Sequence, residues 1–341
     1  MKCVTFLGTS AATPTKCRNV TSHALQFLNG RAWLFDCGEG TQHQILKSKD
    51  LKAPRIDAIF ITHLHGDHLF GLPGLLASLS LVGGERQNPV LLYGPPGIKE
   101  YIRASIDSSV TYLTYGLEVI ELDTSKSHTL SEPGLSASAS MSMKVTAHPI
   151  VHKVPCLGYV VEEPERAGAL DAKKAASLGA KGKEMGLLKA GKDVTLSDGR
   201  VIKASDVIGP TRKGKKVVLL GDTSDASSVL EAGQGCDLLV HEATYDASLR
   251  EKAVEGGHST SQMAGRFAKE LAAKKLILTH FSMRYTSSEG SQPQHQERDA
   301  EEEKEKEGGG PLAVEHLCEE ARAECPETQV VAAVDLESYD V

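Results

Sequence analysis

Apolar runs of strand length recur along the chain: KCVTFLG, SHALQFL, AWLFD, DAIFIT, VLLYG, KVTAH, LGYVVE, KVVLLGD, CDLLVHE, KLILTH and QVVAAVD. Segments of helical periodicity fall between several of them, among them TQHQILKSK, HLFGLPGLLASLSL, GIKEYIRASI, TSQMAGRFAKELAAK and LAVEHLCEEARAE. Gly71 and Pro73 give the second of these an irregular start. Strands alternating with helices predict an α/β fold. Some strands alternate apolar with polar residues and others are continuously apolar. That mixture predicts two sheets facing each other with helices outside, a four-layer αββα sandwich within one domain spanning residues 1–341.

Two stretches break the rhythm. Residues 162–216 are glycine-punctuated and lack aromatics. They fit a small excursion with a short helix and a hairpin, DVTLSDGRVI, turning at Asp198-Gly199. Residues 286–310, TSSEGSQPQHQERDAEEEKEKEGGG, are so polar and charged that a disordered acidic insertion is expected.

Charge changes the picture because it is polarised. The net charge of −7 argues against a nucleic-acid partner only if it is evenly spread. Between Lys173 and Lys216 there are twelve Lys/Arg against four Asp/Glu, a net of +8. Between Glu289 and Glu307 there are eight acids against three bases, a net of −5. Aromatics at 5% leave base stacking no role as a widespread binding strategy. No apolar run approaches the length of about eighteen residues that a membrane span needs. No signal region precedes the first strand. The expectation is an intracellular protein, cytoplasmic or nuclear, with an organelle left open. The seven cysteines are odd in number and never spaced C-x-x-C, which argues against a disulfide framework or a thiolate zinc knot.

The chemistry concentrates in THLHGDHLFG, Thr62 to Gly71. A hydrophobic strand delivers the chain to His63, His65, Asp67 and His68. His63 and His65 lie two apart and project to one side of an extended chain; Asp67 and His68 follow a turn at Gly66 and face back. One zinc site needs three or four ligands. Two metal ions in one cleft would use all four residues and require more. Other strand ends offer them: Asp222 after VVLLG, His280 after KLILT, and His148 or His152 in MKVTAHPIVHKVPCLGY. Singly, Asp222 reads equally well as a helix cap and His280 as a satisfied strand-end residue. Together with the first motif they read as metal ligands.

The chain resembles the metallo-β-lactamase superfamily and, within it, the short form of the ribonuclease Z family. The segments FLGTSAATPT, FDCGEGTQHQI, THLHGDHLFGLPGLL, HKVPCLGYVVEE, LLGDT, HEATY, GHST and LTHFSMRY carry the resemblance over nearly the whole length. It implies a zinc-dependent endoribonuclease that removes the 3′ trailer of precursor tRNA, leaving a 3′-hydroxyl on the tRNA and a 5′-phosphate on the trailer. By motif, one of two Zn²⁺ per chain falls to His63, His65 and His152 and the other to Asp67, His68 and His280, with Asp222 bridging. His152 is preferred to His148 because it precedes Gly158-Tyr159 closely. Asp67 is expected to orient or deprotonate the attacking water. His241 is the expected proton donor with Glu242 as its partner, and Asp36 an outer-layer group fixing a ligand histidine. His258 is expected near the cleft or capping the helix after it. Ser282, Arg284 and Tyr285 are expected to meet substrate. Residues 162–216 resemble a protruding basic arm, with Lys183 and Lys189 on tRNA backbone phosphates. The resemblance also implies a homodimer. The competing reading is another binuclear hydrolase of this fold acting on a small phosphodiester or lactone.

Overall fold

A computed structural model describes residues 1–82, 86, 88–130, 136–138, 141–165, 168–286 and 312–341. Apart from Thr286, the expected acidic insertion lies outside these residues. Two compact units are present: Met1–Glu162 with Lys215–Val341, and Glu163–Gly214.

The larger unit is built on two seven-stranded sheets. One runs in the order Ser338–Asp340, Cys3–Gly8, Ser22–Gln26, Ala32–Phe35, Ile56–Phe60, Val90–Gly94, Leu117–Glu121. Its last four strands are parallel. The other runs Gln329–Ala332, Lys275–Thr279, Leu238–Glu242, Lys216–Leu219, Cys156–Glu162, Lys144–Ile150, His128–Leu130. Its first four strands are parallel. Side chains from both sheets share one core, in which Phe35 stacks on Phe60 at 4.8 Å and Phe60 on Tyr93 at 5.0 Å between centroids. Ring burial of this kind is the dominant favourable term in such a layer.

Two further cores lie outside the sheets. One packs the helices Thr41–Lys47, Leu72–Val82 and Ile98–Ser108 on the first sheet; the other packs Ser261–Glu270 and Val314–Glu324 on the second. The layers are therefore αββα. Within the two seven-stranded sheets, the strands that the apolar pattern does not announce are Leu117–Glu121, His128–Leu130 and Ser338–Asp340, all at sheet edges. An edge strand packs against little, so it carries little apolar signal.

The predicted irregular start of the second helix is a break. A short turn of helix, Gly66–Leu69, stops at Phe70, and Leu72–Val82 begins afresh. Gly71 permits this, because a Cβ there would run into the Gly38 carbonyl.

The smaller unit has its own core of Ala175, Ala180, Leu188, Val194, Leu196, Ile202, Ala204 and Val207. It contains three short helices, Ala172–Ser177, Lys183–Lys189 and Ala204–Val207, where one was expected. The hairpin Val194–Thr195/Val201–Ile202 turns through Gly199 at φ 83°, at the expected dipeptide. Lys183 and Lys189 are both exposed on it.

Candidate metal centre

Parallel strands bring their carboxyl ends to one edge, and the loops beyond them meet. Ile56–Phe60 leads into His63, Lys216–Leu219 into Asp222, and Lys275–Thr279 into His280. His152 comes from the turn between Lys144–Ile150 and Cys156–Glu162. These side chains converge in two sets. His63, His65, His152 and Asp222 form one and Asp67, His68 and His280 the other, while His258 stands close enough to Asp222 and His280 to make a third such group.

The spacings suit ions. His65 Nδ1 stands 3.1 Å from His63 Nε2 and 3.2 Å from His152 Nε2. Asp222 Oδ1 is 3.4 Å from His68 Nε2, and its Oδ2 is 3.3 Å from His280 Nε2 and 3.8 Å from His63 Nε2. Asp67 Oδ2 lies 3.4 Å from His280 Nε2 and 3.5 Å from His68 Nε2. Ligand atoms about 2.0–2.1 Å from a tetrahedral zinc are about 3.3–3.4 Å apart. Asp222 reaches both sets and is placed to bridge.

The far side of most rings is fixed. His68 Nδ1 donates to Asp36 Oδ2 at 2.7 Å. Asp36 also accepts the Thr62 N–H at 2.7 Å and the Thr62 hydroxyl at 2.8 Å. His152 Nδ1 donates to the Gly257 carbonyl at 2.6 Å. Thr62 Oγ1 is 3.0 Å from His63 Nδ1. Thr244 Oγ1 lies 2.8 Å from His280 Nδ1 and donates to Glu242. Four imidazoles thus present Nε2 inward with Nδ1 engaged, the arrangement that orients metal-binding histidines. The donor set fits divalent cations.

Charge is dense here. Burial works against ionisation of Asp222, yet His280, His68 and His63 hold its pKa well below the usual carboxylate range. Burial likewise opposes the His68 imidazolium, but Asp222 and Asp36 hold its pKa well above the ordinary value. Burial pushes the His63 pKa well down, with neighbouring His68 adding to it. Asp67 Oδ2 accepts the backbone N–H of Ala12 at 2.8 Å; Ala12 sits at φ 61°, a left-handed conformation.

His148 takes no part. Its ring nitrogens meet Ser127 and Thr146, each at 2.9 Å. The expected pairing of His241 with Glu242 at the site is corrected. Adjacent residues of a strand face opposite ways. Glu242 faces the candidate ligands, whereas His241 is buried beneath the helix Ser261–Glu270, 5.6 Å from the Phe267 ring, with Nδ1 on the Glu242 carbonyl. Glu242 instead pairs with His258, Oε1 to Nδ1 at 3.2 Å. Against the penalty of burial, Glu242 and then Asp222 raise the His258 pKa to about 9. The strand period in LLVHE carried the signal that separates His241 from Glu242.

Of the three residues after Phe281, Ser282 lines the cleft. The Arg284 guanidinium lies over Tyr245, 5.9 Å from its centroid. Tyr285 cannot meet substrate as expected. It is buried, its hydroxyl donating to Asp246 Oδ2 at 2.8 Å and accepting the Asp246 N–H at 2.7 Å. Over the ligands opens a cleft of about 670 Å³, walled by Pro14, Gly66, Phe70, Tyr245, His258 and Met283 among others.

Two facing mixed sheets with a cluster of histidines and aspartates at their loop edge define a metal-dependent hydrolase of the β-lactamase superfamily. A family model described as "Beta-lactamase superfamily domain" matches residues 31–170. Ribonuclease BN of Erwinia tasmaniensis is 47% identical over 283 residues, 82% of this chain and 89% of the relative. Ribonuclease Z of Gloeothece citriformis is 43% identical over 340 residues, 99% of this chain and 96% of the relative. The crystal structure of human tRNase Z, short form, superposes with a TM-score of 0.62 at 35% identity, covering 83% of this chain and 93% of that one. The chain belongs to the ribonuclease Z family.

Proposed function

We infer that this protein is an endoribonuclease that cleaves precursor tRNA at its 3′ end with two zinc ions. The observation that carries the reading is the convergence of seven donors in two sets, with Asp222 of the first within 3.4 Å of His68 and His280 in the second, beside a cleft of about 670 Å³. The kinship to ribonucleases Z and BN supplies the substrate class.

His63, His65 and His152 would hold one ion, Asp67, His68 and His280 the other, with Asp222 between. When bound, such ions lower the pKa of water and neutralise charge on a scissile phosphate. The protein's own groups do the rest. Asp67, pinned by the Ala12 N–H, orients the attacking water. His258, kept protonated by Glu242, gives its proton to the departing 3′ oxygen. A positioned proton donor contributes about 10²–10⁴-fold. The oxygen leaves as the tRNA 3′-hydroxyl and the phosphate stays on the trailer.

The unit Glu163–Gly214 is the proposed tRNA-gripping arm. Lys183 and Lys189 are exposed on it, within the segment whose net charge is +8. Lacking aromatics, it suits backbone phosphates of duplex more than stacked single strands. A homodimer is proposed as well. Leu81, Val82, Val110 and Tyr112 are 87%, 55%, 89% and 82% exposed, and Thr114 bonds Ser80 to bring the two helix ends together. Among the described residues no helix is long and apolar enough to cross a membrane; a cytoplasmic or nuclear place of action is proposed.

The test is incubation with a precursor tRNA carrying a 3′ trailer, with end mapping of products and metal content per chain. Glu162 and Lys216 are register partners on adjacent strands, so the arm can be replaced by a short Gly-Ser linker. Loss of tRNA cleavage with retained hydrolysis of a small phosphodiester supports the reading. Hydrolysis of small diesters or lactones by a full-length protein that leaves precursor tRNA intact would favour the alternative hydrolase.

A further inference from the structure

We propose that Phe70 is a stacking platform for a nucleobase next to the scissile phosphate, an assignment that rests on the processing reading above. Phe70 is 63% exposed, although it is large and apolar and directly follows the half-buried turn that carries Asp67 and His68. It lines the same cleft as His65, Asp67, Asp222, His258 and His280. Among the lining residues it is the phenylalanine that leaves most of its surface uncovered, beside the polar groups that would hold a phosphate.

Phe70 closes the short helix Gly66–Leu69, its N–H donating to the Gly66 carbonyl at 2.8 Å. The side chain folds back over that turn. A Cβ on Gly66 would stand 2.6 Å from the ring atoms Cδ2 and Cζ, so only glycine leaves room for the ring there. One side of the ring, at Cδ2, Cε2 and Cζ, therefore lies close against residue 66. The exposed remainder is turned to the cleft.

The occupant follows from the chemistry. A strand bound with its phosphate at the ligands sends its flanking bases along the cleft walls. Few groups there can receive a flat apolar face: Pro14, Met283, the half-buried Tyr245 and Phe70. Tyr245 is occupied by cations on its ring, Lys252 at 5.5 Å and Arg284 at 5.9 Å. Phe70 is the aromatic with area to offer. Every base has a π-face, so such a platform holds a nucleotide in place without reading its identity.

The experiment is a double-mutant cycle on the metal-loaded protein. Phe70→Ala is assayed in single turnover on a precursor tRNA, and on the same RNA made abasic at the nucleotide 5′ or 3′ to the cleavage site. Metal content and thermal unfolding report the integrity of each variant. For the intact RNA, kcat/KM is expected to fall about 5- to 150-fold, the span of one base–aromatic stack. One of the two abasic sites should cost the wild type a similar factor and cost Phe70→Ala nothing more. Phe70→Tyr and Phe70→Trp should restore the rate, and Phe70→Leu, with similar bulk but no ring, should not. Wild-type cleavage by Phe70→Ala, losses that multiply at both abasic sites, or full rescue by Phe70→Leu overturns the assignment. A wild type that leaves the precursor intact overturns the processing reading itself, and this assignment with it.

Discussion

Replacing Asp36 by asparagine isolates the outer layer of the metal site. Asp36 is 1% exposed and stands at φ 56°. Asparagine matches its shape and tolerates that left-handed backbone, so the fold is retained. The chemistry changes at one atom. Asp36 Oδ1 accepts the Thr62 N–H, while Oδ2 accepts both the Thr62 hydroxyl and His68 Nδ1. The asparagine oxygen must stay on the Thr62 N–H, since turning the amide round would set donor against donor in a buried place. Its NH₂ then faces His68 Nδ1 and donates to it. The ring proton is driven to Nε2, the nitrogen 3.4 Å from Asp222 Oδ1, where it blocks ligation. A charge-assisted hydrogen bond is worth about 1.5–3 kcal/mol. At about 1.4 kcal/mol per tenfold, that is roughly a 10- to 100-fold loss of metal affinity, the usual range for such partners. Zinc titration of the metal-free protein against a chromophoric chelator measures it. Activity at saturating zinc should fall less than activity at limiting zinc. Wild-type affinity in Asp36→Asn would refute the reasoning, because His68 would then ligate without its carboxylate.

His258→Ala should lower kcat about 10²–10⁴-fold with metal content unchanged, as loss of a proton donor requires. His241→Ala should instead lower thermal stability, by about 1–3 kcal/mol for a buried hydrogen-bonded ring, with kcat nearly kept. His65→Ala should reduce bound metal and abolish cleavage; elemental analysis beside the tRNA assay checks both. Asp335 is half-buried, and desolvation raises its pKa from 3.8 to about 6 despite bonds from the Asn19 N–H and Thr9. The folded protein thus holds this proton more tightly than the unfolded chain, so stability falls as pH rises from about 4 to about 6 and is level above. That loss of stability amounts to about 3 kcal/mol. Asp335→Asn should flatten that part of the urea-unfolding profile; an unchanged pH dependence contradicts it.

The sequence by itself determined most of the core elements and the candidate metal-binding residues. Eleven apolar runs are strands because alternation or continuous apolarity is legible residue by residue. His63, His65, Asp67 and His68 were legible because their spacing and the turn at Gly66 are local facts. Asp222, His152 and His280 were legible through motif and strand-end position, although nothing local says that they meet. Tertiary structure alone decided the remainder. It decided which face of Leu238–Glu242 looks at the ligands, and so moved the partner of Glu242 from His241 to His258, sixteen residues further on. It buried Tyr285 on Asp246, brought Ala12 to Asp67, and left Phe70 bare over Gly66. These are contacts between segments distant in sequence or choices between the two sides of an element. A local pattern fixes a residue's neighbours along the chain, whereas its neighbours in space depend on how the sheets and helices close around it.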